Sequence, residues 1–265
     1  MKLTVLTENR KGEGFYAEHG LSYFIEHLGS CILFDTGQSE VFLKNAALLG
    51  IDLIKKVDTI VLSHGHWDHG NGLQFLSDKK LLTHPHSFIK RYRKKSGTSV
   101  GLYQTEIAIR KKYQLSTSVA PLEIYPAVYF LGQIPRIHSF ESKTTAFVAE
   151  NGQDDFVLDD TALTIVDKGT LIIVTACSHA GICNIISHAI KVTGIQKVKA
   201  VIGGFHLKYN DIQTKKTIDF IEQLGVQKLC PSHCTSEEVL DAFKNRMPVT
   251  QVSTGMVFNF EDSLF

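Results

Sequence analysis

The chain has 265 residues, 43% of them hydrophobic and 21% charged, with a net charge of +1. That length and balance describe a globular protein able to bury a large core, and they argue against a broad basic surface for nucleic acid. No apolar run approaches the eighteen or so residues of a membrane span, and "MKLTVLTENRKGEG" has no secretory cleavage pattern, so a cytoplasmic protein without a membrane partner is expected.

The predicted elements run in a recognisable order. "KLTVLT" and "LSYFIEHL" read as strands, and Gly29–Ser30 turns the chain into a third, "CILFDTG". "SEVFLKNAALLG" switches to helical spacing, with Ser39 as N-cap and Gly50 as its stop. "DTIVLSHGH" is an apolar strand running into clustered histidines, and "LLTHP" is another short strand before a basic helix or loop, "HSFIKRYRKKSG". Residues 97–145, with Pro121, Pro126 and Pro135, are expected to be irregular apart from one strand, "AVYFLGQI".

The second half repeats this grammar. "ALTIVDKGTLIIVTACSH" is a hairpin turning at residues 167–169, followed by a helix, "AGICNIISHAIKVTG". Strand "KVKAVIGGFH", helix "DIQTKKTIDFIEQLG", strand "VQKLCPSHC", helix "SEEVLDAFKNRM" and strand "VTQVSTGMVFNF" complete the chain. Hairpins first and strand–helix alternation afterwards favour two mixed sheets with helices outside, in a single domain over residues 1–265. Residues 85–140 are expected to form a lid or specificity insertion.

Chemistry concentrates in "VLSHGHWDHGNG", which places His64, His66, Asp68 and His69 within six residues. An extended backbone after the strand points His64 and His66 the same way, so that they can share a metal ion. Gly65 would remove a side chain that crowds the ion. A helix from Gly70 onward would put Asp68 and His69 at its start. Histidine with carboxylate suits zinc, with iron or manganese as alternatives. Three later strands also end in histidine, at His179, His206 and His233. The five cysteines have no CxxC spacing and read as reduced thiols.

"HGHWDH" and the upstream "ILFDTG" resemble the HxHxDH signature and structural aspartate of the metallo-β-lactamase superfamily. "YFLGQIPRIHSFE", "DDTALTIVDKGTLIIVTACSHAGICNII", "VIGGFHL" and "PSHCT" resemble one branch of it. Members of that branch are described as metallo-hydrolases or as dihydropterin-(ribofuranosyl)aminobenzene 5′-phosphate synthases. The resemblance implies an α/β fold, a four-layer αββα sandwich of two mixed β-sheets flanked by helices, with a dinuclear metal site on one edge. It implies that His64 and His66 bind the first ion, Asp68 and His69 the second, and that His233 is the last ligand, with His179 as a further one. The common pattern has a bridging aspartate where this chain offers Cys177 and His179, so Cys177 is a further soft-ligand candidate. Asp35 would orient a metal-bound histidine from behind.

Three functions stay open. The first is hydrolysis of a small, phosphate-bearing substrate by hydroxide generated at two divalent ions, with Asp68 and His206 catalytic. His206 would bind substrate or donate a proton, although a metal-ligand or structural role fits it as well. The second is transfer, joining a dihydropterin methyl diphosphate to an aminobenzene ribotide. The third is a non-catalytic metal-binding protein. Lactamase activity is disfavoured without a secretory signal, and an RNA-processing nuclease by charge. The basic run of Lys90, Arg91, Arg93, Lys94 and Lys95 would attract the phosphate if it lay near the metals.

Overall fold

A computed structural model describes residues 1–260. Its strands are β1 (Lys2–Thr7), β2 (Ser22–His27), β3 (Ser30–Phe34), β4 (Thr59–Val61), β5 (Lys80–Thr83), β6 (Arg91–Arg93), β7 (Gln114–Thr117), β8 (Leu122–Tyr125), β9 (Val128–Phe130), β10 (Phe147–Ala149), β11 (Ala162–Asp167), β12 (Thr170–Thr175), β13 (Val198–Gly204), β14 (Lys228–Ser232) and β15 (Val257–Asn259). The helices are α1 (Val41–Leu48), α2 (Leu53–Lys56), α3 (Trp67–Gly70), α4 (Glu106–Lys112), α5 (Ile182–Thr193), α6 (Ile212–Leu224) and α7 (Glu237–Lys244). The described chain falls into two compact units, residues 1–118 with residues 252–260, and residues 119–251.

The first unit holds a seven-stranded mixed sheet in the order β15-β1-β2-β3-β4-β5-β7. β15, β1, β2 and β3 pair antiparallel, whereas β3, β4, β5 and β7 run parallel. Its core packs Leu6, Phe24, Leu33 and Ile60 against Phe42 and Ala46 of α1 and Ile109 of α4. The second unit holds a six-stranded sheet, β14-β13-β12-β11-β9-β8, again antiparallel first and parallel from β12 onward. Its core packs Ile173 and Val201 against Ile185 of α5, Ile221 of α6 and Phe243 of α7. Each unit therefore builds the mixed sheet with flanking helices expected from hairpins followed by strand–helix alternation.

Differences are local. The first helix starts one residue later than its polar signal: Glu40 is the N-cap, while Ser39 Oγ accepts the Val41 N–H at 3.3 Å. The stretch 97–145 is more regular than expected, because Thr105 Oγ1 caps α4 and the strands β7, β8 and β9 follow. The basic run is not a solvated face throughout. Arg91 is fully buried, and its guanidinium donates to the His86 carbonyl at 3.0 Å. No helix among the described residues is long and apolar enough to cross a membrane. All five cysteines are free thiols.

Candidate metal centre

In the first unit, β4 leads through Leu62 and Ser63 into the histidine cluster. His66 has extended backbone (φ −89°, ψ 146°), and α3 starts at the next residue, three positions earlier than expected. Asp68 and His69 therefore sit within its single turn. The Gly65 requirement comes from packing rather than from an ion: an added Cβ would lie 1.8 Å from the Ser87 carbonyl oxygen. His64, His66, Asp68 and His69 are all buried, which is costly for such groups unless they are paired or bound.

Asp35 organises them. It follows β3 with φ 58°, and its Oδ1 accepts the Ser63 N–H at 2.7 Å. Its Oδ2 accepts the Ser63 hydroxyl at 2.7 Å and the His69 Nδ1–H at 2.7 Å. A carboxylate only accepts, so His69 carries its proton on Nδ1 and turns Nε2 outward, 3.6 Å from Asp68 Oδ2. Ser63, having donated to Asp35, accepts from His64 Nδ1 at 2.9 Å, which leaves the His64 Nε2 lone pair 3.0 Å from His66 Nδ1. Two nitrogens on one tetrahedral zinc, each about 2.0–2.1 Å away, stand roughly 3.3 Å apart, so the pair fits a shared ion. Burial, the neighbouring His69 and His66, and Arg91 hold His64 well below the usual imidazole range, in the neutral form a metal requires.

One residue of this cluster is missed from the sequence. His19 Nε2 lies 3.2 Å from Asp68 Oδ2 and its ring packs on Trp67 at 5.6 Å. It arrives on the loop before β2, forty-nine positions from Asp68, and no spacing rule points to it. His84, by contrast, turns back on its own chain, its Nδ1 accepting the His86 N–H at 3.1 Å.

In the second unit, three parallel strands end side by side and each is followed by a non-glycine residue in left-handed backbone: Ser178 (φ 55°) after β12, His206 (φ 53°) after β13 and His233 (φ 50°) after β14. Such conformations cost about 1–3 kcal/mol each and gather at functional sites. Ser178 Oγ donates to the Gly204 carbonyl at 2.6 Å, tying two of these ends together. The His179 and His206 rings lie 4.3 Å apart. The ligand atoms of Cys177, His206 and Cys234 lie within 4.8 Å of one another. Burial raises the Cys234 thiol, but hydrogen bonds to Cys177 and His206 and the charges of His206 and His233 outweigh it and hold the group well below its ordinary value. Within this unit Cys234 is thus a residue that the sequence does not single out. Its sequence neighbour Cys230 faces the core, where burial pushes its thiol up to about 11. His206 Nδ1 is buried with no hydrogen-bond partner among the described residues.

The Metallo-beta-lactamase superfamily pattern matches residues 16–87, which contain Asp35 and the whole His64–His69 cluster. Similarity extends much further. A Methanocaldococcus jannaschii protein, 7,8-dihydropterin-6-methyl-4-(beta-D-ribofuranosyl)-aminobenzene-5'-phosphate synthase, is 35% identical over 92% of this chain and 90% of its own length. The chain belongs to the metallo-beta-lactamase superfamily. An uncharacterised protein of the same organism is 30% identical over 90% of this chain and 92% of its own. The crystal structure of Tm1679, a metal-dependent hydrolase of the beta-lactamase superfamily, is 31% identical, covers 99% of this chain and 100% of its own, and superposes with a TM-score of 0.89. The chain is an enzyme of the metallo-beta-lactamase fold, a fold that implies divalent metal binding, and the buried, tautomer-fixed donors described above suit such ions.

Proposed function

We propose that this enzyme joins a dihydropterin methyl diphosphate to an aminobenzene ribotide, releasing diphosphate. The observation that carries the reading is similarity along nine-tenths of the chain to a synthase named for that product. From residues alone hydrolysis came first, and the relative moves transfer ahead of it. The ligands proposed are His64, His66, Asp68, His69, His179 and His233, with Cys177 as the soft alternative where the family carries a bridging aspartate. Two divalent ions, zinc foremost, would supply Lewis acidity to the departing diphosphate oxygens. The organisation as one domain with residues 85–140 as a lid or specificity insertion is part of the same proposal.

The reaction balances simply. The aromatic amine nitrogen attacks the pterin methylene carbon, the carbon–oxygen bond to diphosphate breaks with its electron pair on oxygen, and the amine gives up one proton. His206 is the proposed acceptor of that proton, because its Nδ1 is buried with no partner among the described residues. Asp35 and Ser63 act behind the ligands, keeping the protons of His69 and His64 on Nδ1 so that their Nε2 atoms remain donors.

Hydrolysis of a small phosphate-bearing substrate is the second reading, favoured by the 31% identity to a metal-dependent hydrolase. Incubating metal-loaded enzyme with both transfer substrates and following products by mass spectrometry decides between them. A coupled pterin–ribotide product is expected. Cleaved phosphate esters without coupling would favour hydrolysis.

A further inference from the structure

Within the second unit a cavity of about 410 Å³ opens beside the strand ends that carry His179 and His206. That volume lies in the range of small-molecule sites. Four of the residues lining it, Ser142, Val157, Ser178 and His206, are non-glycine residues with positive φ. Val157 (φ 54°) is the most telling, since a β-branched residue strongly resists this conformation and is held there by its N–H donating to Asp155 Oδ1 at 2.9 Å.

The charge of the wall is one-sided. Lys143 and Lys208 line it, both exposed, and neither ammonium group has a hydrogen bond or ion pair among the described residues. Asp211 is the one acidic residue in the lining, and its carboxylate is committed to the Thr214 N–H at 3.0 Å as the N-cap of α6. The backbone carrying Lys208 and Tyr209 is fixed in advance: Ser236 Oγ donates to the Lys208 carbonyl at 2.8 Å, and Thr214 Oγ1 donates to that of Tyr209 at 2.7 Å. Aromatic surface completes the wall, with Phe147 edge-on to His179 at 5.7 Å, Phe156 half-buried, and Tyr209 68% exposed although it lines a cavity.

We propose that this cavity recognises a phosphorylated aromatic substrate, Lys143 and Lys208 holding the phosphate and Tyr209 lying against the ring. The cavity carries the assignment of an anion with an aromatic ring; naming the pterin diphosphate or the ribotide rests on the transfer reading. Two cations without counter-ions favour a multiply charged oxyanion, and a ring face beside them gives the adjoining aromatic group a surface to exclude water.

The test uses the full-length, metal-loaded protein and calorimetric titration with four probes: inorganic pyrophosphate, ribose 5-phosphate, uncharged 6-hydroxymethyl-7,8-dihydropterin and the aminobenzene ribotide. Metal content is checked before and after each titration. The double variant Lys143→Gln/Lys208→Gln, whose exposed positions should leave the circular dichroism unchanged, is expected to bind one of the two anions on the order of tenfold or more weakly. Loss of pyrophosphate would seat the pterin diphosphate here, and loss of ribose 5-phosphate would seat the ribotide. Unchanged affinity for both would overturn the anion site. Tyr209→Ala is expected to weaken the dihydropterin, or in the second case the ribotide itself, roughly threefold to tenfold with anion binding intact. Unchanged binding of both aromatic ligands would overturn the ring contact. In the coupling assay the lysine variant should raise KM with kcat nearly unchanged. If no coupling occurs in any variant while anion affinity still falls, the cavity assignment stands and the transfer reading fails.

Discussion

Asp35 holds Ser63 and His69 with one carboxylate, and through Ser63 it reaches His64. Replacing it by asparagine keeps the shape but puts an NH₂ where one oxygen accepts, opposite the Ser63 N–H on one side or the Ser63 hydroxyl and His69 Nδ1–H on the other. Asp35→Asn should therefore lower metal affinity about 10- to 100-fold, measured by competition against a chromophoric chelator; an unchanged affinity would remove Asp35 from the support of the site. His66→Ala removes a donor outright. Its metal content by plasma mass spectrometry should fall by at least one ion per chain, and full retention would sink the ligand assignment. Residue type and spacing made His64, His66, Asp68 and His69 legible in the sequence because four ligand-type side chains crowd six positions. His19 and Cys234 were not legible: the first comes from a distant loop, and the second shares "CPSHC" with a core thiol that looks the same on paper.

Elements deliver these residues through unusual backbone. Gly203 has φ 128°, and a Cβ there would stand 1.9 Å from the Thr175 carbonyl oxygen of the neighbouring strand. Gly203→Ala should cost about 3 kcal/mol or more in urea unfolding, since neither backbone can yield inside a parallel pair. Helix α5 shows a different dependence. It has no acidic residue in its first turn and no side-chain cap of its own. Glu141 supplies both from outside, accepting the Cys183 and Asn184 N–H groups at 3.0 and 2.8 Å.

Burial pushes the Glu141 carboxyl up to about 7 despite those N–H groups, and burial pushes Asp160 up to about 7 as well. A raised folded-state value means the folded protein binds the proton more tightly than the unfolded chain. The stabilisation is complete below the unfolded value near 4.5 and is lost as pH rises through about 7. Glu141→Gln should lower the melting temperature and make its change with pH less negative between those pH values, with Asp160 acting in the same direction as Glu141 and the lowered His64, His138 and His188 in the opposite one. A variant whose slope equals that of the wild type would contradict the assignment. The helix α4 went unread because seven residues with Ile107 on the outside give too short a pattern, and nothing in the basic run marks Arg91 as the residue that turns inside.

Across the whole molecule, the two mixed sheets were legible because the same grammar is written twice, antiparallel hairpins first and parallel strands with helices afterwards. Apolar alternation fixes strand identity, and strand-end histidines mark where chemistry collects. The reaction was not legible, because the same donors serve hydrolysis and transfer and differ only in what is admitted beside them. That choice came from similarity along the chain to a named synthase, and it makes a sharp kinetic claim. The most direct measurement is diphosphate release from dihydropterin methyl diphosphate in ¹⁸O-labelled water, with and without the aminobenzene ribotide. Transfer predicts release that depends on the ribotide and products free of label. Release that continues without the ribotide, with ¹⁸O in the pterin alcohol or in phosphate, would contradict it.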